Sequence, residues 1–385
     1  DHLTNMLRNI WLLSEKMKPS DRVPVIDLLR GLSCLAILLY HVRVDLWIGW
    51  VRIGSYPDEY SSFAKAMAWL SVPAPFLGYA ILLFFLISGF CIHYPNTLPS
   101  AKPKWKNYFF RRFWRIYPPY FIALILTSCI SYFCHIQWED RTWDPERILR
   151  VATMTQNYPP EVGQFLSNPS LWTIPLEAEF YLLYPLAFCL FAKLRSWNLG
   201  LFASLLCALS IYLNYQGISW PSFTSLFLWP TWLLGAWVAQ LHRDGKLLVI
   251  PLFLLLPAGG INLALALASR LYNWDPWIQY FLWADFYLIL FIFCLGHQQW
   301  LANLPIQKVL DGLAWLGQIS FSLYLVHFPL LKLFGYLHRS YFGGKPENFL
   351  VSLAYLIPVC FLAWLFFLLV ERPIHQWSRN RLRKA

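Results

Sequence analysis

His41 and Asp45 stand four residues apart at the end of the run Arg22 to Asp45, RVPVIDLLRGLSCLAILLYHVRVD. On a helix that spacing puts both side chains on one face. A carboxylate behind an imidazole fixes the ring's tautomer and leaves the far nitrogen to take a proton, which suits a general base. The plainer alternative is a histidine that caps the helix end or reaches for the interface. Arg30, earlier on the same helix, shifts the balance toward function, because ionisable groups inside an apolar segment are expensive and rare. At about 1.5 Å of rise per residue, Arg30 and His41 lie about 16 Å apart along the axis. That places a fixed cation near one membrane face and a titratable ring past the midplane, with a path between them.

Other stretches carry groups of the same kind. In Lys102 to Tyr120, KPKWKNYFFRRFWRIYPPY, Arg112 and Arg115 share one helix face while Arg111 points elsewhere. Guanidinium groups grip phosphates bidentately; a basic cluster that orients the chain and meets lipid headgroups is the alternative. In Ser170 to Pro185, SLWTIPLEAEFYLLYP, Glu177 and Glu179 are two apart and face different ways. A buried Glu needs a partner from another helix or a proton. In SFSLYLVHFP, Tyr324 and His327 share a face and can hydrogen-bond across helices. FFLISGF, from Phe84 to Phe90, reads as a site of close helix packing. Asp285 reads as a further buried acid, and Glu371 with Pro373 as the end of the last apolar segment.

These groups have to be held by membrane helices. The chain has 385 residues, of which 58% are hydrophobic and 13% charged. A soluble domain carries about 25% charged residues, so half that value points to a multi-spanning membrane protein. Ten apolar segments of bilayer length are predicted, at about 25–44, 76–93, 118–136, 170–191, 199–215, 222–241, 247–269, 278–296, 313–335 and 349–370. The expected fold class is all-α, a polytopic membrane protein with about ten transmembrane helices. Residues 1–21 read as a cytoplasmic N-terminal segment without a signal-peptide pattern, 22–373 as the transmembrane domain and 374–385 as a basic cytoplasmic tail.

The net charge of +11 comes from basic residues between apolar segments, which topology explains without nucleic acid. With both termini in the cytoplasm, twenty of the 31 Lys and Arg fall in inside segments and ten outside, Arg30 counting as buried. That excess favours a multi-pass protein of the inner cell membrane in this orientation. The longest outer loops are 45–75 and 137–169. The second holds Glu139, Asp140, Asp144, Glu146 and Glu161 among many Trp, Tyr and Pro residues, and suits receipt of a sugar and interfacial anchoring equally. The eight cysteines include no CxxC pair and imply neither disulfides nor a metal site. The absence of GxSxG, Walker, HExxH and GxGxxG patterns removes the common soluble hydrolase, nucleotide-binding and zinc-protease readings.

The pieces IDLLRGLSCLAILLYH, FFLISGF, RRFWRIYP, SLWTIPLEAEFYLLYP, LGQISFSLYLVHFP and the terminal ERP come in an order that resembles the acyltransferase-3 family, over residues 22–373. Its members are multi-pass membrane proteins that O-acylate sugars and other acceptors, and their core has ten spans. The resemblance implies that His41 is the catalytic base and that Arg30 is the arginine of the family's first-helix motif. It implies that Arg112 and Arg115 form the RxxR motif linked to acyl-CoA. Glu177 matches the acid of the tryptophan-containing motif, and Tyr324 and His327 match the SLYLxH element. Ile174 and Pro175 depart from the usual residues there. Asp45 is added from spacing alone, and the carboxyl-terminal hydrolase-like domain of some members is not expected here.

The function expected is transfer of an acyl group, acetyl in the simplest case, from cytoplasmic acyl-CoA to a hydroxyl of a glycan or related acceptor at the outer face, with no metal. Arg30, Arg112 and Arg115 would hold the donor; His41, Asp45 and Glu177 would serve catalysis; Tyr324 and His327 would face substrate or oxyanion. A variant has His41 carry the acyl group itself. The main rival is a proton-coupled transporter of a small polar or anionic solute, which lacks visible inverted repeats in this sequence. A third reading is a non-catalytic scaffold or receptor for lipid-linked sugars.

Overall fold

A computed structural model describes residues 23–98, 102–159, 165–193, 196–247 and 251–383. The segment 1–21, Glu161 and Arg195 therefore lie outside the described residues. The long helices are α1 (Pro24–His41), α2 (Ile81–His93), α3 (Trp105–Trp138), α4 (Thr173–Lys193), α5 (Ser196–Tyr215), α6 (Ser225–Arg243), α7 (Leu252–Leu271), α8 (Pro276–Gly296), α9 (Gln307–Gln318), α10 (Ser320–Phe342), α11 (Leu356–Phe366) and α12 (Arg372–Arg383). Among the described residues there are no strands. Eight helical stretches among the described residues are long and apolar enough to cross a membrane. The chain is an all-α polytopic membrane protein. The expected segments 199–215 and 222–241 are helices too, the apolar α5 and α6, though neither is among those eight. For α6 the reason is its surroundings: Trp229, Trp232, Ala236 and Ala239 are buried in protein, so less of it has to satisfy lipid.

Two glycine crossings set the spacing of the core. A Cβ on Gly89 would lie 2.0 Å from the Trp232 carbonyl oxygen, and one on Gly235 would lie 1.9 Å from that of Leu86, so α2 and α6 meet backbone to backbone. The FFLISGF stretch is thus a packing element, as its Ser–Gly pair implies. The second crossing joins α1 to α9, where Gly31 meets Leu313 and Gly317 meets Asp27.

The structure corrects three expectations. The segment 313–335 is not one helix: the chain breaks at Ile319, between the amphipathic α9 and the apolar α10, which runs on to Phe342. Pro373 does not end the last helix. A π turn, Phe367–Glu371, precedes it, and the helical run continues through Pro373 into α12. Residues 374–383 of the basic segment are helical, and Trp377 packs on Trp114 of α3 at 4.5 Å between ring centroids. Asp285 is not buried; it lies on the exposed side of α8.

Candidate active site

The helices enclose two cavities that share a wall. The first, of about 190 Å³, is lined by Arg30 of α1, Ser88 and Cys91 of α2, Arg112 and Arg115 of α3, Glu177 and Tyr181 of α4 and Tyr324 of α10. The second, of about 450 Å³, is lined by His41, Asp45, Ser170, Trp172, Arg270 and Tyr324 among others. Tyr324 and Ile81 face both.

In the first cavity three guanidinium groups outnumber one carboxylate. Arg30 lies 3.8 Å from Asp27 and donates to Cys91 Sγ at 3.5 Å. Arg112 sits between the rings of Tyr108 and Tyr181, at 5.5 and 5.2 Å from their centroids, and its Nε is buried without a hydrogen-bond partner. An orphaned buried donor of this kind costs free energy unless an acceptor meets it. Arg115 lies within electrostatic reach of Glu371, whose Oε2 accepts from Ser322 of α10. Glu177 accepts from Tyr181 Oη at 2.5 Å and from Ser88 Oγ at 3.5 Å. The pair of acids thus divides as their spacing implies. Glu179 accepts from Tyr158 Oη and from the Ser225 N–H, both at 2.7 Å, and ties a loop to the start of α6.

The second cavity is built around the end of α1. The chain passes there into a π turn, Val42–Leu46, which carries Asp45 back beneath His41. Single π turns recur at functional sites because they re-aim side chains. His41 Nδ1 is 3.0 Å from Asp45 Oδ2. A carboxylate only accepts, so Nδ1 holds the proton and Nε2 presents a lone pair. His327 Nδ1 faces the carbonyls of Tyr324 and Leu323 at 2.8 and 3.1 Å, which fixes the same tautomer. Ser170 Oγ lies 3.4 Å from both Nε2 atoms. One hydroxyl proton can serve one lone pair at a time. His327 is buried and lines neither cavity, whereas His41 faces the second.

Ser170 is fixed from several sides. It lies in the 3₁₀ turn Pro169–Trp172 that leads into α4. Its neighbour Asn168 donates to the Leu325 carbonyl at 2.9 Å, and Asn157 donates to the carbonyls of Trp172 and Phe223, each at 2.8 Å. Tyr324 Oη donates to the Ser170 carbonyl at 2.7 Å and pairs with Thr173 Oγ1 at the same distance.

A family model described as an acyltransferase domain matches residues 23–368. The chain belongs to the acyltransferase-3 family. No curated protein and no solved structure matches it. Membership makes the chain a membrane acyltransferase.

Within this acyltransferase the residues expected from sequence divide between the cavities. Arg30, Arg112, Arg115 and Glu177 come together in the first, so Glu177 is not beside His41. His41 and Asp45 lie in the second, and Tyr324 joins the two. His327 lines neither cavity and reaches the site through Ser170 and the face of the His41 ring. Sequence reasoning missed Ser170 and Arg270 altogether. Ser170 opens a noted motif, but its partners His41 and His327 lie 129 and 157 residues away, and no local pattern announces such a meeting.

Proposed function

We propose that the protein moves an acyl group from acyl-CoA, in the simplest case acetyl-CoA, on the cytoplasmic side to a hydroxyl of a glycan or related acceptor on the outer side. The observation that carries this is the shared wall: an arginine-lined cavity and a His–Asp cavity end on the same side chain, Tyr324. The first cavity, at about 190 Å³, is below the roughly 300–1,000 Å³ of a pocket for a whole drug-sized ligand. It suits the narrow arm of a carrier whose phosphates stay at the mouth with Arg112, Arg115 and Arg30.

The thioester carbonyl comes to rest beside Tyr324. The acceptor hydroxyl enters the second cavity and gives its proton to His41 Nε2 while its oxygen attacks that carbonyl. Asp45 holds the imidazolium that forms. The tetrahedral intermediate collapses with cleavage of the C–S bond, and the thiolate recovers the proton from His41, leaving an ester and free CoA thiol. Ser170 donates to His327, which frees the His41 lone pair for the acceptor. Tyr324 and His327 contribute less directly than their motif implies. The Tyr324 proton is already given to the Ser170 carbonyl, and His327 has no proton on Nε2 to offer an oxyanion.

The test is CoA release from acetyl-CoA by the purified protein in liposomes, with and without a crude glycan extract. Acceptor-stimulated release that vanishes in His41→Ala while acetyl-CoA binding persists is the expected result. Undiminished release in His41→Ala removes His41 from the mechanism, and failure to bind any acyl-CoA removes the donor.

A further inference from the structure

The second cavity contains a charge that the transfer chemistry leaves unused. Arg270, in the last turn of α7, lines it together with His41. Among the described residues no carboxylate pairs with Arg270, and Asp45, the acid in the same cavity, is held by His41. Much of the remaining wall is aromatic, with Tyr40, Tyr79, Trp172 and Tyr280. The wall is also stiff. Tyr79 stacks on Trp283 at 5.2 Å with the planes 5° apart, and its hydroxyl donates to Gln279 at 2.6 Å.

An arginine at a helix C-terminus can simply answer the helix dipole or meet a lipid headgroup. Neither role calls for a place in the wall of the cavity that contains the base. We propose that the acceptor is an anionic saccharide, with its reacting hydroxyl at His41 and a carboxylate or phosphate of the same molecule on Arg270. The proposal rests on the acyltransferase reading of His41. A guanidinium fork matches either anion bidentately, and flat aromatic side chains with polar tips suit a ligand that is part apolar and part wet. At about 450 Å³ the cavity falls within the roughly 300–1,000 Å³ usual for small-ligand pockets, so it takes a short saccharide rather than a long chain. The anion can belong to an acidic sugar or to the phosphate that links a sugar to its carrier lipid.

Both sources are tested with small probes on the purified full-length protein. Saturation-transfer NMR compares methyl glucuronide, glucose 1-phosphate and methyl glucoside, and acyl transfer from acetyl-CoA to each is followed by mass spectrometry. At least one acidic probe should bind and react about tenfold better than the neutral one. Arg270→Gln should bring acidic and neutral probes to parity, and Arg270→Lys, which keeps the charge without the fork, should retain part of the preference. Preference for the glucuronide identifies a sugar carboxylate; preference for the phosphate identifies the carrier linkage. Acidic probes that bind no better than methyl glucoside, or a preference that survives Arg270→Gln, overturn the proposal while the acyltransferase reading stands. Arg270-dependent binding without consumption of acetyl-CoA overturns the acyltransferase reading, and the acceptor role with it.

Discussion

The rings of His41 and His327 lie 5.1 Å apart and 51° from coplanar, with both Nε2 lone pairs turned toward the hydroxyl of Ser170. That hydroxyl can satisfy only one of them. Removing it leaves two acceptors competing for whatever proton arrives. Ser170→Ala is expected to lower kcat about tenfold or more, the scale of a lost catalytic hydrogen bond, with little change in acyl-CoA affinity. Ser170→Thr, which keeps the hydroxyl, should restore most of the loss, and steady-state kinetics on the three proteins checks it.

The partnership of His41 with Asp45 predicts a graded series. His41→Ala should cost about 10²–10⁴-fold in kcat, the usual contribution of a general base. Asp45→Asn keeps the shape but lets an amide N–H face Nδ1, which favours the wrong tautomer, so it should fall between His41→Ala and wild type. Equal activity of Asp45→Asn and wild type would remove Asp45 from the site.

The first cavity predicts donor effects that leave the acceptor untouched. Arg115→Ala and Arg112→Ala should each weaken acetyl-CoA binding by about tenfold, the loss expected of a charge-assisted hydrogen bond. Glu177→Gln should behave as a donor-side variant as well, since its partners are Tyr181 and Ser88. Isothermal titration with acetyl-CoA separates these from His41→Ala, whose binding should match wild type.

Away from the site, Asp140 anchors the loop after α3 to α10. Its Oδ2 is 2.5 Å from Lys332 Nζ, and it accepts from Tyr336 Oη at 3.0 Å and from Thr142. Burial pushes this carboxyl up, but Lys332 and Thr142 together outweigh burial and hold it below the ordinary carboxylate range. A depressed folded-state pKa means the unfolded chain binds more protons, so the stabilisation is complete above about pH 4 and is lost as pH falls through the folded value. Asp140→Asn should destabilise by about 3–5 kcal/mol at neutral pH, the cost of leaving a buried charge unpaired. The gap in melting temperature between variant and wild type should narrow below about pH 4.

The α1–α9 crossing predicts an unusually severe glycine variant. A Cβ on Gly31 would lie 1.7 Å from the Leu313 carbonyl oxygen, so the two backbones must separate, and Arg30 moves with them. Gly31→Ala should yield little monodisperse protein by size-exclusion chromatography. Gly312→Ala, on the same α9 but facing open space, should elute like wild type.

The sequence discloses much of this architecture because membrane helices are written in hydropathy. Most of the apolar segments, the shared face of His41 and Asp45, the opposed faces of Glu177 and Glu179 and the packing role of FFLISGF follow from period and composition. Other features depend on information that is not local. The break at Ile319 has only Gly317 just before it, and a lone Gly in an apolar run does not by itself mark a break. Pro373 reads as a stop, yet the preceding π turn lets the helix continue. Asp285 reads as buried because apolar residues surround it in sequence, although the helix turns it outward. Ser170 and Arg270 look like ordinary loop and helix-end residues until the bundle closes around His41.

The wall formed by Tyr324 and Ile81 also matters to the membrane that holds the protein. The two cavities end on these side chains instead of merging into one shaft. A bore wide enough for an acyl-bearing arm, left open from mouth to mouth, would conduct water and protons and drain the gradient the cell maintains. A phenol braced by Thr173 and the Ser170 carbonyl closes that route between turnovers, and an arm threaded past it would plug the same gap during one. On the proposed mechanism the membrane would then stay insulated in both the idle and the loaded state of the enzyme.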